Sequence, residues 1–230
     1  MTTSVILEGA VPSSGSKRVL IIDDHPVFRF GLCQLVGASP EFTVCGEAWN
    51  APSALQALRQ LIPEVVLLDI SMPGTNGIEL LKLMLAEKPN LLVLMISLHE
   101  ESLYALRALR AGAKGYLMKD EAMGAILEAL RRITEGGVYV SPRLNERLIF
   151  KVIHSEDSDL GSPMGRLSDR ELEILELLGR GASTRTAASQ LHLSVKTIET
   201  HRAHLKQKLG FRSQDELVKF AGEWKIAKNE

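Results

Sequence analysis

The 230-residue sequence contains only two cysteines, Cys33 and Cys45. Two cysteines are too few for a disulfide framework, and their spacing matches neither a metal-binding nor a redox motif. Neither sign of charge is in excess, because the sequence contains 27 Lys and Arg and 28 Asp and Glu. This balance excludes a uniformly basic nucleic-acid coat protein. We therefore expect a cytoplasmic protein with reduced thiols.

The sequence also lacks a hydrophobic run long enough to cross a membrane. Its apolar runs, Val65 to Leu68 and Leu91 to Ile96, are far shorter than the ~20 residues that a spanning helix needs. Residues 1–16 contain no Lys or Arg, so they lack the charged start of a secretory signal and are expected to form a flexible tail. We expect no membrane partner.

Between residues 17 and 140, short aliphatic runs alternate with longer helical patterns, as in βαβ units on a parallel sheet. Five strands are predicted, at Arg18–Ile22, Thr43–Ala48, Val65–Asp69, Leu92–Ser97 and Gly115–Met118. The pattern predicts a doubly wound α/β domain with five parallel strands. Its ligand site should lie at the carboxyl ends of these strands.

After residue 140 the pattern changes to an all-α one. Residues 141–166 include a polar run with Gly161 and Pro163, which predicts a linker between domains. Residues 167–230 should form a second domain of four helices, at Asp169–Arg180, Thr184–Leu191, Val195–Leu209 and Gln214–Ile226. Its helix ends are marked by two capping boxes, Ser168 with Glu171 and Ser213 with Glu216, and by the C-cap glycines Gly181 and Gly210.

Acidic residues follow two of the predicted strands. Asp23 and Asp24 come after the first strand, and Asp69 ends the third. Alone, each Asp is explained as a turn former or a helix cap. Together, three carboxylates at one sheet edge would repel one another without a cation, and their hard oxygens suit Mg²⁺. Ser97 and Lys119 add a hydroxyl and a cation at the same edge, so a phosphoryl group on Asp69 would be well held.

The second domain carries a basic stretch. Residues 180–212 contain seven Lys and Arg but one acidic residue, Glu199. A charge run is often only a solvated face, but here helical spacing adds information. At about 100° per residue, Ile198, Leu205 and Leu209 share one face, and Lys196, Thr200, Ala203 and Gln207 share the opposite one. An anchored helix with a small, polar outer face suits a DNA major groove, and the short turn before it predicts a helix-turn-helix.

These motifs resemble those of a known family. The runs DDHP (23–26), VVLLDISMPGTNG (65–77) and KGYLMKD (114–120), with Ser97 placed 28 residues after Asp69, resemble the receiver domain of two-component response regulators. The runs LSDRELEIL (167–175) and LSVKTIETHRAHLKQKLG (193–210) resemble the LuxR-type helix-turn-helix of the NarL/FixJ subfamily. The resemblance spans residues 18 to about 221 and implies a flavodoxin-like receiver domain followed by a DNA-binding domain, not an enzyme.

The resemblance also implies roles for single residues. Asp69 would accept a phosphoryl group from a sensor histidine kinase. Mg²⁺ would be held by Asp23, Asp24, Asp69 and the backbone carbonyl of Ser71, and the switch residues would be Ser97, Tyr116 and Lys119. One position departs from the family pattern: Leu98 stands where a small residue is common, which disfavours phosphorylation by small-molecule donors.

For promoter DNA, the matching contact positions are Lys196, Thr197, Glu199, Thr200, His201, Arg202, Ala203 and Lys206. Glu199 is a departure, because a basic residue is frequent there. A carboxylate at this position is instead able to accept from cytosine N4 and carry specificity. His201 and His204 are three residues apart, but with no third ligand nearby in the sequence they do not predict a metal site.

Two other functions compete with a phosphorylation-dependent transcription regulator. A haloacid-dehalogenase-like phosphatase would need an acid/base Asp two residues after its nucleophile, where this chain has Ser71. A regulator independent of phosphorylation would not need the set of Asp23, Asp24, Asp69 and Lys119. We also expect a homodimer in the phosphorylated state. One candidate surface is formed by Tyr104–Ala111, the strand at Gly115 and the helix Glu121–Glu135; the other is the last helix, Gln214–Ile226. The kinase, the stimulus, the operator and the sign of regulation stay open.

Overall fold

The computed structural model describes residues 15–99, 101–146 and 163–226. The described residues form two units, one before and one after residues 148–149. The predicted tail (1–16) and linker (141–166) lie mostly outside the described residues, so the domain boundaries stay predictions. No helix in the described ranges has the length and apolar character needed to span a bilayer.

The first unit is built on a parallel five-stranded sheet with the order β2-β1-β3-β4-β5. Its strands are β1 (Lys17–Ile22), β2 (Phe42–Ala48), β3 (Val65–Asp69), β4 (Leu92–Ser97) and β5 (Gly115–Met118), and its helices are α1 (Pro26–Gly37), α2 (Ala51–Leu61), α3 (Gly77–Glu87), α4 (Glu101–Arg110) and α5 (Lys119–Thr134). The predicted α/β fold is confirmed. β1 and β2 each begin one residue earlier than expected, because Lys17 pairs with Phe42 across the strands.

The aliphatic strand residues explain why the sheet is central. All five residues of β3 are buried, as are Val19 to Ile22 of β1 and Val93 to Ser97 of β4. Such continuous apolar runs are typical of parallel strands covered by helices on both faces. Val65 pairs with Val19 on one side and with Leu92 on the other, so β3 lies in the middle of the sheet and Asp69 leaves it at the centre of the carboxyl edge.

The second unit consists of a 3₁₀ turn (Pro163–Arg166) and the helices α6 (Asp169–Gly179), α7 (Thr184–Gln190), α8 (Val195–Leu209) and α9 (Gln214–Ile226). Serine side chains begin three of them: Ser168, Ser183 and Ser194 each accept a backbone N–H of the first turn. α8 ends at Gly210, whose φ of 76° suits glycine. The predicted helical domain is confirmed, with α6 and α7 each one residue shorter than expected.

One predicted helix start is wrong in detail. The Ser168 and Glu171 box is present in both directions. At α9, Ser213 Oγ accepts from the backbone N–H of Glu216 as expected, but the Glu216 carboxylate accepts from the N–H of Arg212 at 2.8 Å. The second half of the Ser213 capping box is therefore replaced by a bond to the preceding residue.

Candidate functional site

Three carboxylates meet at the carboxyl edge of the sheet, as the sequence predicts. Asp23 follows β1 and Asp69 ends β3, and each is only 1% exposed. Asp24 is half-buried beside them. One ligand atom from each of Asp23, Asp24, His25 and Asp69 lies within 4.8 Å of the others. The fold therefore gathers a negatively charged, largely dehydrated pocket from two strands that are neighbours in the sheet.

Lys119 neutralises part of this charge from the start of α5. Its Nζ lies 2.7 Å from Oδ2 of Asp69 and 2.7 Å from Oδ2 of Asp23. The ammonium group also lies 4.9 Å from the ring centroid of Phe28, a favourable cation–π arrangement. Burial alone would lower the pKa of Lys119, but the two carboxylates outweigh it and raise the pKa. The lysine is thus held as a cation between two acids.

Asp69 is the buried carboxylate whose protonation is most perturbed. Burial, together with the charge of Asp23, raises the pKa of Asp69 to about 6, although Lys119 acts in the opposite direction. One of its oxygens contacts Lys119 and the other accepts the backbone N–H of Ser71 at 3.2 Å. A carboxylate in this setting has an oriented oxygen but has lost most of its hydration. A bond to an electrophile removes the cost of keeping this buried group charged.

The pocket has capacity for a divalent cation. Among the described residues, Oδ2 of Asp23 and Oδ1 of Asp24 are buried without a well-oriented hydrogen bond. Both are nevertheless within ion-pair distance of a basic group, Lys119 for Asp23 and His25 for Asp24. Buried carboxylate oxygens with remaining lone pairs are the ligands that Mg²⁺ prefers. The residues present therefore fit the predicted metal.

Gly77 shapes the loop that carries this pocket. Its N–H donates to the carbonyl of Ile70 at 2.8 Å. A Cβ at this position would lie 2.1 Å from the carbonyl oxygen of Asp69, so only glycine lets the loop fold back so closely. The glycine stood in the motif quoted above, but its packing role was not apparent before the loop was placed.

The predicted switch residues lie along the same edge. Ser97 is fully buried, and its Oγ accepts the backbone N–H of His99 at 3.0 Å. Tyr116 is also fully buried, and its hydroxyl donates to the carbonyl of His99 at 2.8 Å. Leu98, between Ser97 and His99 in the sequence, is 64% exposed. The segment after β4 is therefore bonded both to the hydroxyl residue and to the aromatic residue of β5.

His25 and His99 are neighbours of the pocket that the sequence did not single out. His25 Nδ1 lies 2.8 Å from Oδ1 of Asp24. His99 Nε2 lies 2.7 Å from the hydroxyl of Ser71, and its ring is 4.5 Å from that of Tyr104. Of the two, only His25 belongs to a sequence motif, the DDHP run. The contact between Ser71 and His99 joins residues 28 positions apart and is revealed only by the three-dimensional structure.

In the second unit, α8 presents the two faces that its sequence predicts. Ile198 and Leu205 are fully buried, while Leu209 near the helix end is half-buried. Of the predicted contact residues, Lys196, Glu199, Thr200 and Ala203 are exposed, and Thr197, His201, Arg202 and Lys206 are half-buried. α7 and the turn at His192, with φ of 51°, precede α8. This is the order of a helix-turn-helix.

Two of the half-buried residues are already bonded within the protein. Arg202 donates to Oγ1 of Thr184 on α7 and to Oε1 of Gln214 on α9, the latter at 3.2 Å. Thr197 forms a 2.7 Å hydroxyl contact with Ser194, the residue that caps α8. Arg202 thus connects three helices, which the local sequence did not indicate.

His201 and His204 face a partner that is distant in sequence. Glu171, in the first turn of α6, lies close enough that one ligand atom from each of the three residues falls within 4.8 Å of the others. Burial lowers the pKa of His201, against the effect of Glu171. The two histidines therefore have a third potential metal-ligating side chain nearby, contributed by another helix.

Comparison with known proteins identifies two family matches. Residues 19–131 match the response regulator receiver domain, and residues 165–221 match the bacterial regulatory proteins of the luxR family. The chain is 31% identical over 214 residues to the transcriptional regulatory protein DegU of Brevibacillus brevis, covering 87% of this chain and 91% of the relative.

Solved structures of RcsB are also similar. RcsB from Salmonella enterica serovar Typhimurium, bound to promoter DNA in the presence of phosphomimetic BeF3-, is 25% identical, with a TM-score of 0.56 over 89% of this chain and 97% of that one. A structure of two RcsB dimers bound to two parallel DNAs is 26% identical, with a TM-score of 0.56 over 90% of this chain and 98% of that one.

Proposed function

The chain belongs to the response regulators that join a receiver domain to a LuxR-type DNA-binding domain, and we propose that Asp69 is its phosphoryl acceptor and α8 its DNA-reading helix. The family consists of transcriptional regulators, not enzymes. In this proposal a sensor histidine kinase supplies the phosphoryl group to the first domain, and the second domain binds promoter DNA in response.

The observation that carries the proposal is the contact of one lysine with two buried acids. Lys119 Nζ lies 2.7 Å from both Asp69 and Asp23. An oxygen of Asp69 attacks the phosphorus of a phosphohistidine, so the new P–O bond forms as the P–N bond breaks and the histidine leaves. Lys119 then pairs with the phosphoryl oxygens, whose negative charge replaces that of the Asp69 carboxylate as its partner.

Mg²⁺ is the cofactor that this pocket fits. Asp23, Asp24, Asp69 and the carbonyl of Ser71 are the proposed ligands. In support, Oδ2 of Asp23 and Oδ1 of Asp24 are buried without a well-oriented hydrogen bond among the described residues. When bound, Mg²⁺ neutralises charge on the transferring phosphoryl group. Asp23 and Asp24 would hold the cation, and Lys119, which contacts both Asp23 and Asp69, would pair with the phosphoryl oxygens.

The proposed switch connects phosphorylation to the segment after β4. Ser97 would exchange its bond from the N–H of His99 for one to a phosphoryl oxygen. Because Tyr116 donates to the carbonyl of that same His99, a movement of Ser97 and His99 reaches Tyr116 through one residue. A two-state element biased by added charge is the usual design of phosphorylation switches.

On the DNA side, the exposed residues of α8 are the proposed base readers. Glu199 and Thr200 lie near the start of the helix, where base edges are within reach in a helix-turn-helix. Lys196 and Lys206 supply positive charge for phosphates, with His201, Arg202, Thr197 and Ala203 completing the proposed contact set. A homodimer is proposed for the phosphorylated state, since two operator half-sites require a two-fold symmetric protein.

The test is phosphate incorporation from a histidine kinase in the presence of Mg²⁺. Asp69→Asn preserves size but removes the nucleophilic oxygen, so acid-labile incorporation should disappear. Asp120→Asn is the matched control, because Asp120 is exposed one residue after Lys119, and its incorporation should match wild type. Incorporation that persists in Asp69→Asn would refute the assignment of the acceptor.

A further inference from the structure

A cluster of metal-ligating side chains lies in the second unit, away from the acidic pocket. Glu171 comes from the first turn of α6, and His201 and His204 come from the middle of α8. One ligand atom from each lies within 4.8 Å of the other two. Of these three residues only His201 belongs to the proposed DNA-contact set, and that role does not use the triad of two imidazoles and one carboxylate as a unit.

The chemical nature of the donors selects the class of metal. Imidazole nitrogens with one carboxylate oxygen are a donor set that Zn²⁺ accepts, with a fourth position left to water or another ligand. Mg²⁺ and Ca²⁺ prefer oxygen ligands, so two imidazoles discriminate against them. The histidine rings stand edge to face with centroids 6.5 Å apart, and His204 is exposed while His201 is half-buried, so an ion has access from solvent.

The carboxylate of Glu171 is already oriented by its surroundings. Its Oε2 accepts the backbone N–H of Ser168 at 2.7 Å and contacts Lys208 Nζ at 2.6 Å. Both of these bonds go to Oε2. Such outer contacts fix the direction of a ligand and keep it ionised. Lys208 pairs with the same carboxylate, so a bound cation competes with this ammonium group for Glu171.

We propose that Glu171, His201 and His204 form a binding site for a divalent transition metal, with Zn²⁺ as the best fit. The ion joins the first turn of α6 to α8. On a helical projection at about 100° per residue, His201 and His204 lie on the flank of α8 next to the exposed Lys196 and Thr200. Metal binding therefore fixes the helix that the DNA interface is built on, and it stabilises the second domain by an amount that grows with the ratio of the free metal concentration to its Kd.

The experiment measures Zn²⁺ affinity of the full chain by competition with a chromogenic chelator, in saturating Mg²⁺ to occupy the acidic pocket. His204→Gln removes an exposed ligand, so the fold should persist. Loss of a single outer-sphere partner already costs about 10–100-fold in affinity, and loss of this ligand should cost at least about tenfold. His192→Asn is the matched control: this exposed histidine has a positive φ that Asn tolerates, and its Zn²⁺ affinity should equal that of wild type.

Cobalt spectra and thermal unfolding supply independent measurements. Co²⁺ in wild type should give the intense visible bands of a tetrahedral site with nitrogen ligands, absent in His204→Gln and present in Asp24→Ala. Zn²⁺ should raise the midpoint of thermal unfolding of wild type but not of His204→Gln. The proposal is overturned if wild type binds no Zn²⁺, if His204→Gln binds it as tightly as wild type, or if Asp24→Ala rather than His204→Gln abolishes binding.

Discussion

Asp69 carries a thermodynamic cost that follows from its role. A carboxylate that is 1% exposed has lost its hydration, and the adjacent Asp23 adds repulsion that Lys119 offsets only in part. Buried charges of this kind destabilise a fold unless they are fully paired. The same electrostatic cost makes the pocket receptive to Mg²⁺, because a cation offsets the repulsion between Asp69 and Asp23.

The pH dependence of stability should report this cost. The folded-state pKa of Asp69 is raised to about 6, above the unfolded value of roughly 3.9. Between these pH values the folded protein keeps a proton on Asp69 that the unfolded chain has released. The contribution of Asp69 to the free energy of unfolding therefore falls as pH rises from about 4 to 6. In metal-free protein at pH 7, we expect Asp69→Asn to raise the free energy of unfolding by on the order of 1–3 kcal/mol.

Urea unfolding at a series of pH values checks this expectation. The gain from Asp69→Asn should shrink toward zero as pH falls to about 4. A gain of equal size at pH 4 and pH 7 would mean that ionisation of Asp69 is not the cause.

At the scale of helices, Arg202 acts as a structural connection as well as a proposed DNA contact. Its guanidinium bonds to Thr184 of α7 and Gln214 of α9. We expect Arg202→Ala to destabilise the second domain by roughly 1–2 kcal/mol and to lower its thermal midpoint. Lys206→Ala, one turn further along α8, should leave stability unchanged but lower the salt slope of DNA binding by about one unit. Equal midpoints for Arg202→Ala and wild type would contradict the structural role.

The outer face of α8 leads to a second prediction at this scale. Glu199 is exposed near the helix start, where a carboxylate is able to accept from a cytosine amino group. Binding-site selection on randomised duplexes should therefore return a different preferred base for Glu199→Lys, with a change of about 1–3 kcal/mol at that position. Lys206→Ala serves as the control, since it should weaken all sequences alike. An unchanged preferred motif for Glu199→Lys would show that Glu199 does not lie on the base-reading face.

The elements themselves were largely predictable, because their signals are local. Continuous aliphatic runs, serine caps and the glycine at 210 lie within a few residues of the structure they determine, and the helix and strand bounds agree to within about one residue. The misplaced half of the box at Ser213 shows the limit: Glu216 had two N–H donors in reach, at Ser213 and Arg212, and sequence alone does not choose between them.

The site was predictable only where strand order determines it. Asp23, Asp69 and Lys119 end or follow strands whose carboxyl ends share one edge, so their meeting followed from the fold class. The contacts of Ser71 with His99 and of Glu171 with His201 and His204 join segments that no periodicity relates. They depend on loop paths and helix packing, which only the three-dimensional structure supplies.

At the scale of the whole molecule, phosphorylation should change the association of the chain. Sedimentation velocity with Mg²⁺ and beryllofluoride, which mimics the phosphoryl group, should show dimers for wild type and monomers for Asp69→Asn. The candidate surfaces are residues 104–111, the strand at Gly115 and residues 121–135 of the first domain, and α9 of the second. Monomers under all conditions, including on operator DNA, would contradict the proposed dimer.

The most direct test of the account is the affinity of the full chain for its selected operator, measured by fluorescence anisotropy in Mg²⁺ with and without beryllofluoride. A coupling between sites is typically 1–3 kcal/mol, so we predict that the adduct tightens binding by about tenfold in wild type. Asp69→Asn should show the weaker affinity under both conditions. Equal affinities of wild type with and without beryllofluoride, or the same increase in Asp69→Asn, would contradict control of DNA binding by phosphorylation of Asp69.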